Sequence, residues 1–390
     1  MCFQYQKILI LRSNNMIYKK FKDLELSALG MGCMRLPTFE DGTVNVEATA
    51  EMVDYAIGKG VNYFDTAWVY HGGKSETIMG EILEKYPRDS FYLATKFPGF
   101  SAETWDKVEE IFEEQLKKCR VDYFDFYLFH NVSEHNIDAY LDDEKYGIHS
   151  YLVEQKKKGR IRHLGFSAHG NMNTLKRFLS AYGSDMEFCQ LQINYIDWHF
   201  QNAVGKIELM KEYGIPVWVM EPLRGGKLVK LDEKYEKMLR ALRPTESNHG
   251  FAFRFLQSVP EIVMTLSGMS NLDQIKDNID IYSTVEPLSD AERKTLFEIA
   301  DELVSPNRLP CTACRYCTEY CPQELDIPTI IELYNDSRYS KGTYIVPSGI
   351  NELDEDKRPS SCIACRACEA VCPQNIKISE MMSDFSKRLK

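Results

Sequence analysis

The chain has 390 residues, of which 44% are hydrophobic and 27% are charged, and its formal net charge at pH 7 is −11. This length fits one large domain and one small domain with ample material for a core. The acidic balance argues against a nucleic-acid partner, because a phosphate backbone attracts a basic surface, and no apolar run approaches the ~18 residues of a membrane span.

The N-terminal segment, residues 1–15, is predicted to be a flexible extension, with Met16 as an alternative start. Its apolar run, Ile8 to Leu11, is too short for the core of a signal peptide. The sequence "YKKFKDLELSALGMG" follows and predicts a β-hairpin that leads into a first long strand.

Eight strand-like segments alternate with amphipathic segments over the first three quarters of the chain. Most are continuous apolar runs, as expected for parallel strands that are covered on both faces. The strand segments are "LSALGMG", "VNYFDT", "FYLATKF", "YFDFYLFH", "IRHLGFS", "FCQLQIN", "PVWVME" and "EIVMTLSG". The predicted helices are Glu47–Lys59, Ser75–Lys85, Ala102–Cys119, Lys145–Lys158, Met172–Tyr182, Ala203–Tyr213, a stretch ending near Ser258, Leu272–Tyr282 and Ser289–Leu303.

This alternation predicts an α/β fold, a (β/α)8 TIM barrel over residues 16–304. The alternative is an open doubly wound sheet, but no G-x-G-x-x-G sequence follows the first strand. Ser289 and Glu292 have the spacing of a capping box at the start of the last barrel helix. Residues 305–310, "SPNRLP", read as a linker, and residues 311–390 as a small, mainly helical domain in which "DIPTIIELYND" is the clearest helix.

Four polar residues stand at or just after the ends of three successive strand segments: Asp65, Tyr70, Lys96 and His130. Barrel enzymes carry their chemistry at this end of the strands. A phenol can protonate the oxyanion that forms when hydride reaches a carbonyl carbon, a neighbouring ammonium lowers the phenol's pKa, a carboxylate fixes the ammonium, and an imidazole can orient the carbonyl oxygen. Taken singly, each residue could have only a structural role: Tyr70 at the rim, Lys96 in a loop, Asp65 as a helix cap and His130 in the core.

The segments "FDTAWVYHGGKSE", "LATK" and "LFHN" resemble the aldo-keto reductase family, and the likeness runs from about Met31 to Asn278. The resemblance implies a TIM barrel that binds a nicotinamide dinucleotide without a Rossmann fold. It also implies a catalytic tetrad of Asp65, Tyr70, Lys96 and His130, with Tyr70 as the proton donor.

The same resemblance implies where the dinucleotide binds. Gly32, Met34 and Arg35 in "GMGCMR" would line the nicotinamide end, together with Asp65. Ser167 and Gln190 would hold the carboxamide, and Met220 would stack on the ring, where the family commonly has an aromatic residue. The backbone from Glu221 through Pro222 to Leu223 would wrap the pyrophosphate, Arg224 would offer a cation to it, and Gly225 follows. The segment expected at the adenosine supplies Gly268, Met269, Gln274 and Asn278.

One departure from the family concerns the 2′-phosphate. Many members place Lys and Arg at the positions of Gly268 and Gln274, and the loss of two cations weakens phosphate binding. This weakens the case for NADP(H), which we expect as the cofactor, and leaves NAD(H) as the alternative.

The C-terminal region contains a doubled cysteine unit. "CTACRYCTEYCPQELDI" begins at Cys311 and "CIACRACEAVCPQNIKI" at Cys362, and the two agree at nine of seventeen positions. Each run reads C-x-x-C-x-x-C-x-x-x-C-P and resembles the dicluster ferredoxin motif, in which the fourth cysteine of one run binds the cluster of the other. One 4Fe-4S cluster would then take Cys311, Cys314, Cys317 and Cys372, and the second would take Cys321, Cys362, Cys365 and Cys368. Zinc, the alternative, usually takes ligand pairs separated by a dozen or more residues.

Together these features predict a cytoplasmic oxidoreductase whose cysteines are reduced and which interconverts an aldehyde or ketone with its alcohol. Its two 4Fe-4S clusters would serve structure or electron transfer, with a flavoprotein or a ferredoxin as the electron partner. The alternative is a nicotinamide-binding module that senses redox state with little turnover and signals to a partner protein. The sequence does not name the small-molecule substrate; Trp68, Trp198 and His199 indicate only a partly aromatic mouth.

Overall fold

The computed structural model describes residues 16–134, 136–304, 309, 311, 316–339, 345–372 and 376–389. The chain divides into two units, Met1–Arg293 and Lys294–Lys390. The extension expected at residues 1–15, most of the linker expected at 305–310, and Cys314 lie outside the described residues. Among the described residues, no helix has the length and apolarity needed to cross a membrane.

The first unit is a closed barrel of eight parallel strands, which confirms the predicted fold class. Two antiparallel strands precede it and form the predicted hairpin, β1 (Tyr18–Phe21) and β2 (Leu24–Ser27). The barrel strands, in spatial order from β3 with β10 closing onto β3, are β3 (Leu29–Gly32), β4 (Tyr63–Asp65), β5 (Tyr92–Phe97), β6 (Phe124–Val132), β7 (Ile161–Ala168), β8 (Cys189–Gln192), β9 (Val217–Met220) and β10 (Ile262–Gly268).

The continuous apolar runs become strands because both of their faces are covered. Every residue of β6 except His130 is buried, and β4 and β8 are buried throughout. Each of the eight predicted strand segments overlaps one of these strands, and β6 and β7 run past the ends of theirs, to Val132 and Ala168. Because all eight run in parallel, their carboxyl ends share one rim, and the predicted site residues lie there.

The hairpin packs on the barrel interior near the beginnings of the strands. Phe21 and Leu26 belong to one buried cluster with Phe126, Phe188 and Trp218. The ring centroids of Phe21 and Trp218 are 5.1 Å apart. Aromatic burial of this kind closes the end of the barrel opposite the candidate site.

Helices connect the strands, with three departures from the predicted boundaries. Gly147 adopts a left-handed conformation (φ 63°), which only glycine adopts without strain, and divides the expected helix Lys145–Lys158 into two. The expected helix Ala102–Cys119 is a 3-10 turn, Ala102–Thr104, followed by a helix from Val108. The α-helices of this part are Val46–Gly58, Ser75–Leu83, Val108–Cys119, Ile137–Leu141, Asp143–Tyr146, Ile148–Lys157, Met172–Tyr182, Asp197–Phe200, Ala203–Glu212, Glu233–Leu242, Asn248–Gln257, Leu272–Ile281 and Asp290–Val304. The third departure is that Ile137–Leu141, Asp197–Phe200 and Glu233–Leu242 were not predicted.

The second unit is helical where it is described and has its own hydrophobic core. Its α-helices are Tyr316–Glu319, Ile327–Tyr339, Ile345–Asn351, Ala367–Ala370 and Ile378–Arg388. The predicted helix "DIPTIIELYND" begins one residue before the observed helix Ile327–Tyr339, which continues three residues beyond it. Ile330 and Tyr334 pack with Phe385 in the core, and the Tyr334 hydroxyl donates to Asp384 at 2.7 Å. Cys317 and Cys368 are buried members of the same core.

Candidate functional site

Three of the four predicted catalytic residues are joined by hydrogen bonds at the rim of the barrel. Lys96, near the end of β5, donates from Nζ to Asp65 Oδ1 at 2.6 Å and to the Thr66 carbonyl oxygen at 2.8 Å. The same nitrogen lies 3.4 Å from the hydroxyl oxygen of Tyr70. Lys96 is fully buried, so its ammonium has these polar neighbours in place of water.

The charges of this group act on one another. Burial alone would lower the pKa of Lys96, but the Asp65 carboxylate and the Tyr70 oxygen outweigh burial and raise it. Burial raises the pKa of Asp65, and Lys96 and Gln190 oppose that rise. Burial also raises the pKa of Tyr70, while Lys96 pulls it down. The lysine therefore acts in the direction that its proximity predicts, but burial is the larger effect and keeps the phenol protonated.

The fourth predicted residue, His130, lies beside the phenol. Its ring centroid is 6.2 Å from that of Tyr70 and 5.2 Å from that of Phe100, and both pairs meet edge to face. Burial, Lys96 and His169 lower the pKa of His130 well below its usual value, so the imidazole is neutral. Its Nδ1 atom is buried and has no hydrogen-bond partner among the described residues.

A buried polar network supports Lys96 from behind. Gln115 donates from Nε2 to the Lys96 carbonyl oxygen at 3.0 Å and to Glu76 Oε1 at 2.6 Å. Thr95 also donates to Glu76 Oε1 at 2.6 Å, and Tyr127 donates to Gln115 Oε1 at 2.6 Å. Because Glu76 and Gln115 are fully buried, these bonds fix the end of β5 without competition from water.

The segment expected at the nicotinamide end follows β3. Gly32 pairs in register with Gly268 of β10 on one side and with Asp65 of β4 on the other. A Cβ atom added at Gly268 would lie 3.2 Å from the Arg35 side chain, so the glycine makes room for that arginine. Arg35 is 43% exposed, and its Nη2 is 3.9 Å from Glu221 Oε1, whereas Met34 is 39% exposed.

The two expected carboxamide contacts lie on adjacent strands, where Ser167 and Gln190 are register partners. The Ser167 hydroxyl oxygen accepts a hydrogen bond from the Asn131 backbone nitrogen at 2.9 Å. Gln190 donates from Nε2 to Asp65 Oδ2 at 3.2 Å, which ties this pair to the tetrad. Both side chains are buried.

The loop after β9 differs from its expected arrangement at one residue. Met220 ends the strand, and Glu221, Arg224, Gly225 and Gly226 have positive φ angles of 55°, 48°, 68° and 89°. The sequence suggested that Arg224 offers a cation to the dinucleotide, but its guanidinium is buried and its Nε pairs with Asp197 at 3.0 and 3.1 Å. Pro222 and Leu223 lie between these turns, and the Leu223 carbonyl accepts from Gly226 and Leu228.

The segment expected at the adenosine follows β10. Met269 is buried, and Asn271 caps the helix Leu272–Ile281 by accepting from the Gln274 backbone nitrogen. The Gln274 side-chain oxygen accepts from the Ser270 nitrogen at 2.8 Å, and Asn278 donates to the Ser267 hydroxyl at 3.1 Å. These side chains therefore brace the loop, as well as lying where the adenosine was expected.

The cysteines of the expected second cluster line one cavity. Cys321, Cys362, Cys365 and Cys368 surround about 340 Å³ of space, the open mouth included, together with Arg366. Burial and the neighbouring thiols of Cys321 and Cys362 raise the pKa of Cys368 to about 12. Among the described residues, no group of three Cys, His, Asp or Glu side chains is placed to hold a single metal ion. A 4Fe-4S cube differs from a single ion, because each of its four thiolates binds a different iron atom.

For the expected first cluster, Cys311, Cys317 and Cys372 are described. Cys317 is buried in the core of the second unit, and Cys311 and Cys372 pack against that core. The chemistry of the donor set fits iron-sulfur ligation in both runs, because thiolates are the ligands that such clusters take.

The barrel rim also fits a dinucleotide. Gly32 leaves the end of β3 without a side chain, so a ligand can approach the backbone closely there, whereas the space at Gly268 is taken by the Arg35 side chain. The unpartnered Nδ1 of His130 and the positive-φ loop after β9 add polar groups around the same rim.

Comparisons with known proteins agree with this fold and site. The pattern of the aldo/keto reductase family matches residues 28–301, and that of the 4Fe-4S dicluster domain matches residues 310–376. The chain belongs to the aldo/keto reductase family. It carries a C-terminal 4Fe-4S dicluster domain, as the resemblance implied.

Individual relatives are identical to this chain at about a quarter of the aligned residues. It is 26% identical over 305 residues to the uncharacterized oxidoreductase YqkF of Bacillus subtilis, which covers 70% of this chain and 92% of the relative. It is 23% identical over 331 residues to the NADH-specific methylglyoxal reductase of Escherichia coli, over 72% of this chain and 97% of the relative. The holo form of aldo-keto reductase AKR11C1 from Bacillus halodurans superposes with a TM-score of 0.60 at 25% identity, over 73% of this chain and 96% of that one.

Sequence reasoning missed several residues that shape the site of this reductase. Phe100 lies on His130, and Gln115 bonds the Lys96 carbonyl, yet neither stands in a motif. Asp197 pairs with Arg224 from a four-residue helix that no periodicity predicts. The one available signal was the chemical type of Asp197, a carboxylate within the apolar, aromatic-rich "NYIDWHF", which requires a buried partner.

Proposed function

We propose that this chain is an NAD(P)H-dependent reductase of aldehydes or ketones in which Tyr70 donates the proton. The observation that carries the proposal is the position of the Tyr70 hydroxyl, 3.4 Å from a buried Lys96 ammonium that is itself held by Asp65 at 2.6 Å. A tyrosine with only a structural role at the rim would not require a buried cation beside its hydroxyl group. The family membership independently supports an oxidoreductase.

The proposed reaction adds one hydride and one proton to the carbonyl group. When bound, reduced nicotinamide supplies the hydride to the carbonyl carbon. Tyr70 gives its hydroxyl proton to the carbonyl oxygen, so the C=O π bond becomes a C–H and an O–H bond. The phenolate left on Tyr70 is stabilised by the Lys96 ammonium, which Asp65 and the Thr66 carbonyl hold in place, until a proton from solvent restores it.

His130 has a separate role in the proposal. Because its imidazole is neutral, it can donate one hydrogen bond to the carbonyl oxygen without competing with Tyr70 as an acid. Phe100 and Tyr70 enclose the ring edge to face, which limits its orientations. The carbonyl oxygen would thus sit between the phenol and the imidazole.

We propose NADP(H) as the dinucleotide, with NAD(H) as the alternative that a direct comparison must decide. The resemblance placed Arg35 at the nicotinamide end, but its side chain lies against Gly268, in the segment expected at the 2′-phosphate, where its guanidinium can meet a phosphate. Gly268 and Gln274 add no charge there. The Escherichia coli relative is NADH-specific and acts on methylglyoxal, so methylglyoxal and NADH belong in the first assay.

We also propose two 4Fe-4S clusters, in which the fourth cysteine of each run binds the cluster held by the other run. The cavity lined by Cys321, Cys362, Cys365 and Cys368 supports one of these sets. Hydride transfer moves two electrons and each cluster moves one, so the clusters would serve structure or a flavoprotein or ferredoxin partner rather than the barrel directly. We expect about eight iron and eight sulfide ions per chain and an electron paramagnetic resonance signal when the protein is reduced.

The test of the reductase is oxidation of NADPH and NADH with methylglyoxal and a panel of other aldehydes and ketones. Tyr70→Phe should lower kcat by roughly 10²–10⁴-fold, the usual contribution of general acid catalysis, with little change in cofactor affinity. Tyr213→Phe, at an exposed tyrosine, is the matched control. Tight cofactor binding with no turnover of any carbonyl would instead favour the redox-sensing module, and turnover that survives in Tyr70→Phe would overturn the assigned proton donor.

A further inference from the structure

Two polar side chains that meet behind the loop after β9 carry no role in the proposed chemistry. Asp197 is fully inaccessible and Arg224 is 1% exposed, and Arg224 Nε lies 3.0 Å from Asp197 Oδ1 and 3.1 Å from Oδ2. The guanidinium carbon is also 5.3 Å from the centre of the Phe200 ring. The arginine therefore points into the protein, toward a carboxylate that is itself sealed from water.

The same carboxylate ties the ends of two successive strands together. Asp197 Oδ2 accepts from Gln192 Nε2 at 2.8 Å, at the end of β8, and from Asn194 Nδ2 at 2.6 Å. Asn194 Nδ2 also donates to the Glu221 carbonyl at 3.1 Å, at the beginning of the loop after β9. Arg224 holds the middle of that loop, so both its beginning and its middle are anchored to one buried group.

This anchoring matters because the loop backbone is unusual. Glu221 and Arg224 are non-glycine residues with positive φ angles of 55° and 48°, and Gly225 and Gly226 follow with positive φ. Non-glycine residues in the left-handed region are held there only by surrounding structure. The Arg224 and Gly226 N–H groups close turns within the loop by donating to the Glu221 and Leu223 carbonyls, so the shape of the loop depends on these φ angles.

Burial energetics argue against stability as the reason for the pair. Replacing a buried ion pair with apolar residues of similar volume is often neutral or stabilising, because two charges lose their hydration. A fully buried pair at the rim of a catalytic barrel is better explained by the single conformation that it imposes on the loop.

Resting on the proposed dinucleotide site, we propose that Asp197 and Arg224 are positioning residues that hold the loop Glu221–Gly226 in its phosphate-binding conformation. Arg224 acts through Asp197 and not as a phosphate ligand. The side-chain cation that we assign to the phosphates is Arg35, which is 43% exposed.

The two roles for Arg224 predict opposite results for the variant Asp197→Asn. If Arg224 bound phosphate, loss of its internal partner would release the guanidinium and preserve or strengthen dinucleotide binding. If the pair positions the loop, Asp197→Asn and Arg224→Gln should both weaken NADPH and NADH binding. By analogy with residues that orient metal ligands, the loss should be roughly 10- to 100-fold.

Salt dependence separates the two arginines. A direct ionic contact to phosphate is screened by salt, so Arg35→Gln should flatten the dependence of the dissociation constant on salt concentration. Arg224→Gln should raise the dissociation constant and leave that dependence unchanged. The measurement is fluorescence titration of the holoprotein with NADPH and with NADH at several salt concentrations, and Arg240→Gln, in the exposed pair with Glu236, is the matched control.

The single variants leave one buried charge without its partner, so the double variant Asp197→Leu/Arg224→Met is included. It should fold, as its melting temperature will report, and still bind both dinucleotides weakly. Wild-type affinity in the folded double variant, stronger binding by Asp197→Asn, or a flattened salt dependence in Arg224→Gln would each overturn the inference. Failure of the wild-type protein to bind either dinucleotide would instead overturn the proposed function.

Discussion

The barrel rim and the cysteine-containing unit hold their reactive groups in different ways. At the rim, the Lys96 ammonium donates hydrogen bonds to Asp65 and to the Thr66 carbonyl, and the Lys96 backbone carbonyl accepts one from Gln115. In the second unit, Cys317 and Cys368 are members of a small hydrophobic core. The barrel therefore holds its site residues with its own hydrogen bonds, whereas we expect metal binding in the second unit to be part of its folding.

The largest expected effect comes from removing a cluster ligand. Cys365→Ser should lose about half of the bound iron, four atoms of the expected eight, because one of two 4Fe-4S clusters loses a thiolate. The second unit should unfold at a lower temperature, since binding free energy there is folding free energy. Iron and sulfide analysis and calorimetry measure both quantities.

Dinucleotide binding serves as the internal control for this variant, because the residues proposed for it lie in the first unit and the cysteine runs in the second. NADPH affinity should be unchanged in Cys365→Ser, and Cys2→Ser, outside both cysteine runs, should keep all of its iron. Full iron content in Cys365→Ser would show that this cysteine is not a ligand.

The next effect tests the barrel side of the comparison. Lys96→Met leaves the buried Asp65 carboxylate without its cation, and breaking a buried pair in this way costs about 3–5 kcal/mol. The double variant Asp65→Asn/Lys96→Met removes both charges and should recover much of that loss. Chemical unfolding followed by circular dichroism gives the free energies, and iron content should stay at the wild-type value.

If the single and double variants were equally destabilised, the cost would come from packing rather than from the unpaired charge. A fall in iron content with either variant would mean that the two units do not respond independently, which would weaken the contrast between them.

The sequence predicted the barrel better than the details of its rim. The strands were evident because most are continuous apolar runs bounded by polar segments, as in "VWVM" of β9. Asp65, Tyr70, Lys96 and His130 were evident because each stands at or just after a strand end. Helix interruptions such as Gly147 depend on a single φ angle, which periodicity does not report.

Side-chain direction was the part that the sequence could not supply. Arg224 stands in a glycine-rich loop segment and was expected to face the dinucleotide, but a carboxylate 27 positions away in the chain, Asp197, draws it inward. The pKa of Tyr70 was expected to be governed by Lys96, yet the extent of burial is a property of the packed structure and has the larger effect. Such outcomes depend on contacts between distant segments.

A smaller change in stability is expected from a carboxylate, Glu187, at the end of the barrel opposite the site. Burial alone would raise the pKa of Glu187 from 4.5, but His163, Lys156 and Lys22 outweigh burial and lower it to about 2. Because the pKa is lower in the folded state, the stabilisation is present above pH 4.5 and is lost as the pH falls toward 2. It amounts to at most about 3 kcal/mol.

Glu187→Gln should therefore be less stable than wild type at neutral pH and should lose less stability between pH 4.5 and pH 2. Thermal unfolding at a series of pH values measures this difference. The neighbouring exposed pair of Glu154 and Lys158 provides a control, since Glu154→Gln should leave the acid profile unchanged. Parallel acid profiles for wild type and Glu187→Gln would rule out this carboxylate as a source of acid sensitivity.

The smallest effect concerns the helix Asp290–Val304, within which the boundary between the two units falls. The Glu292 nitrogen donates to the Ser289 hydroxyl oxygen at 3.3 Å, and Glu292 Oε2 accepts from the Ser289 nitrogen at 2.7 Å, which confirms the predicted capping box. Ser289→Ala should cost about 1 kcal/mol, the usual value of an N-cap, whereas Ser289→Thr should cost less than half as much. Both variants should keep wild-type iron content and NADPH affinity, because a cap stabilises the start of a helix without reaching either site. A loss of iron in Ser289→Ala would instead show that the helix transmits its stability to the cysteine-containing unit.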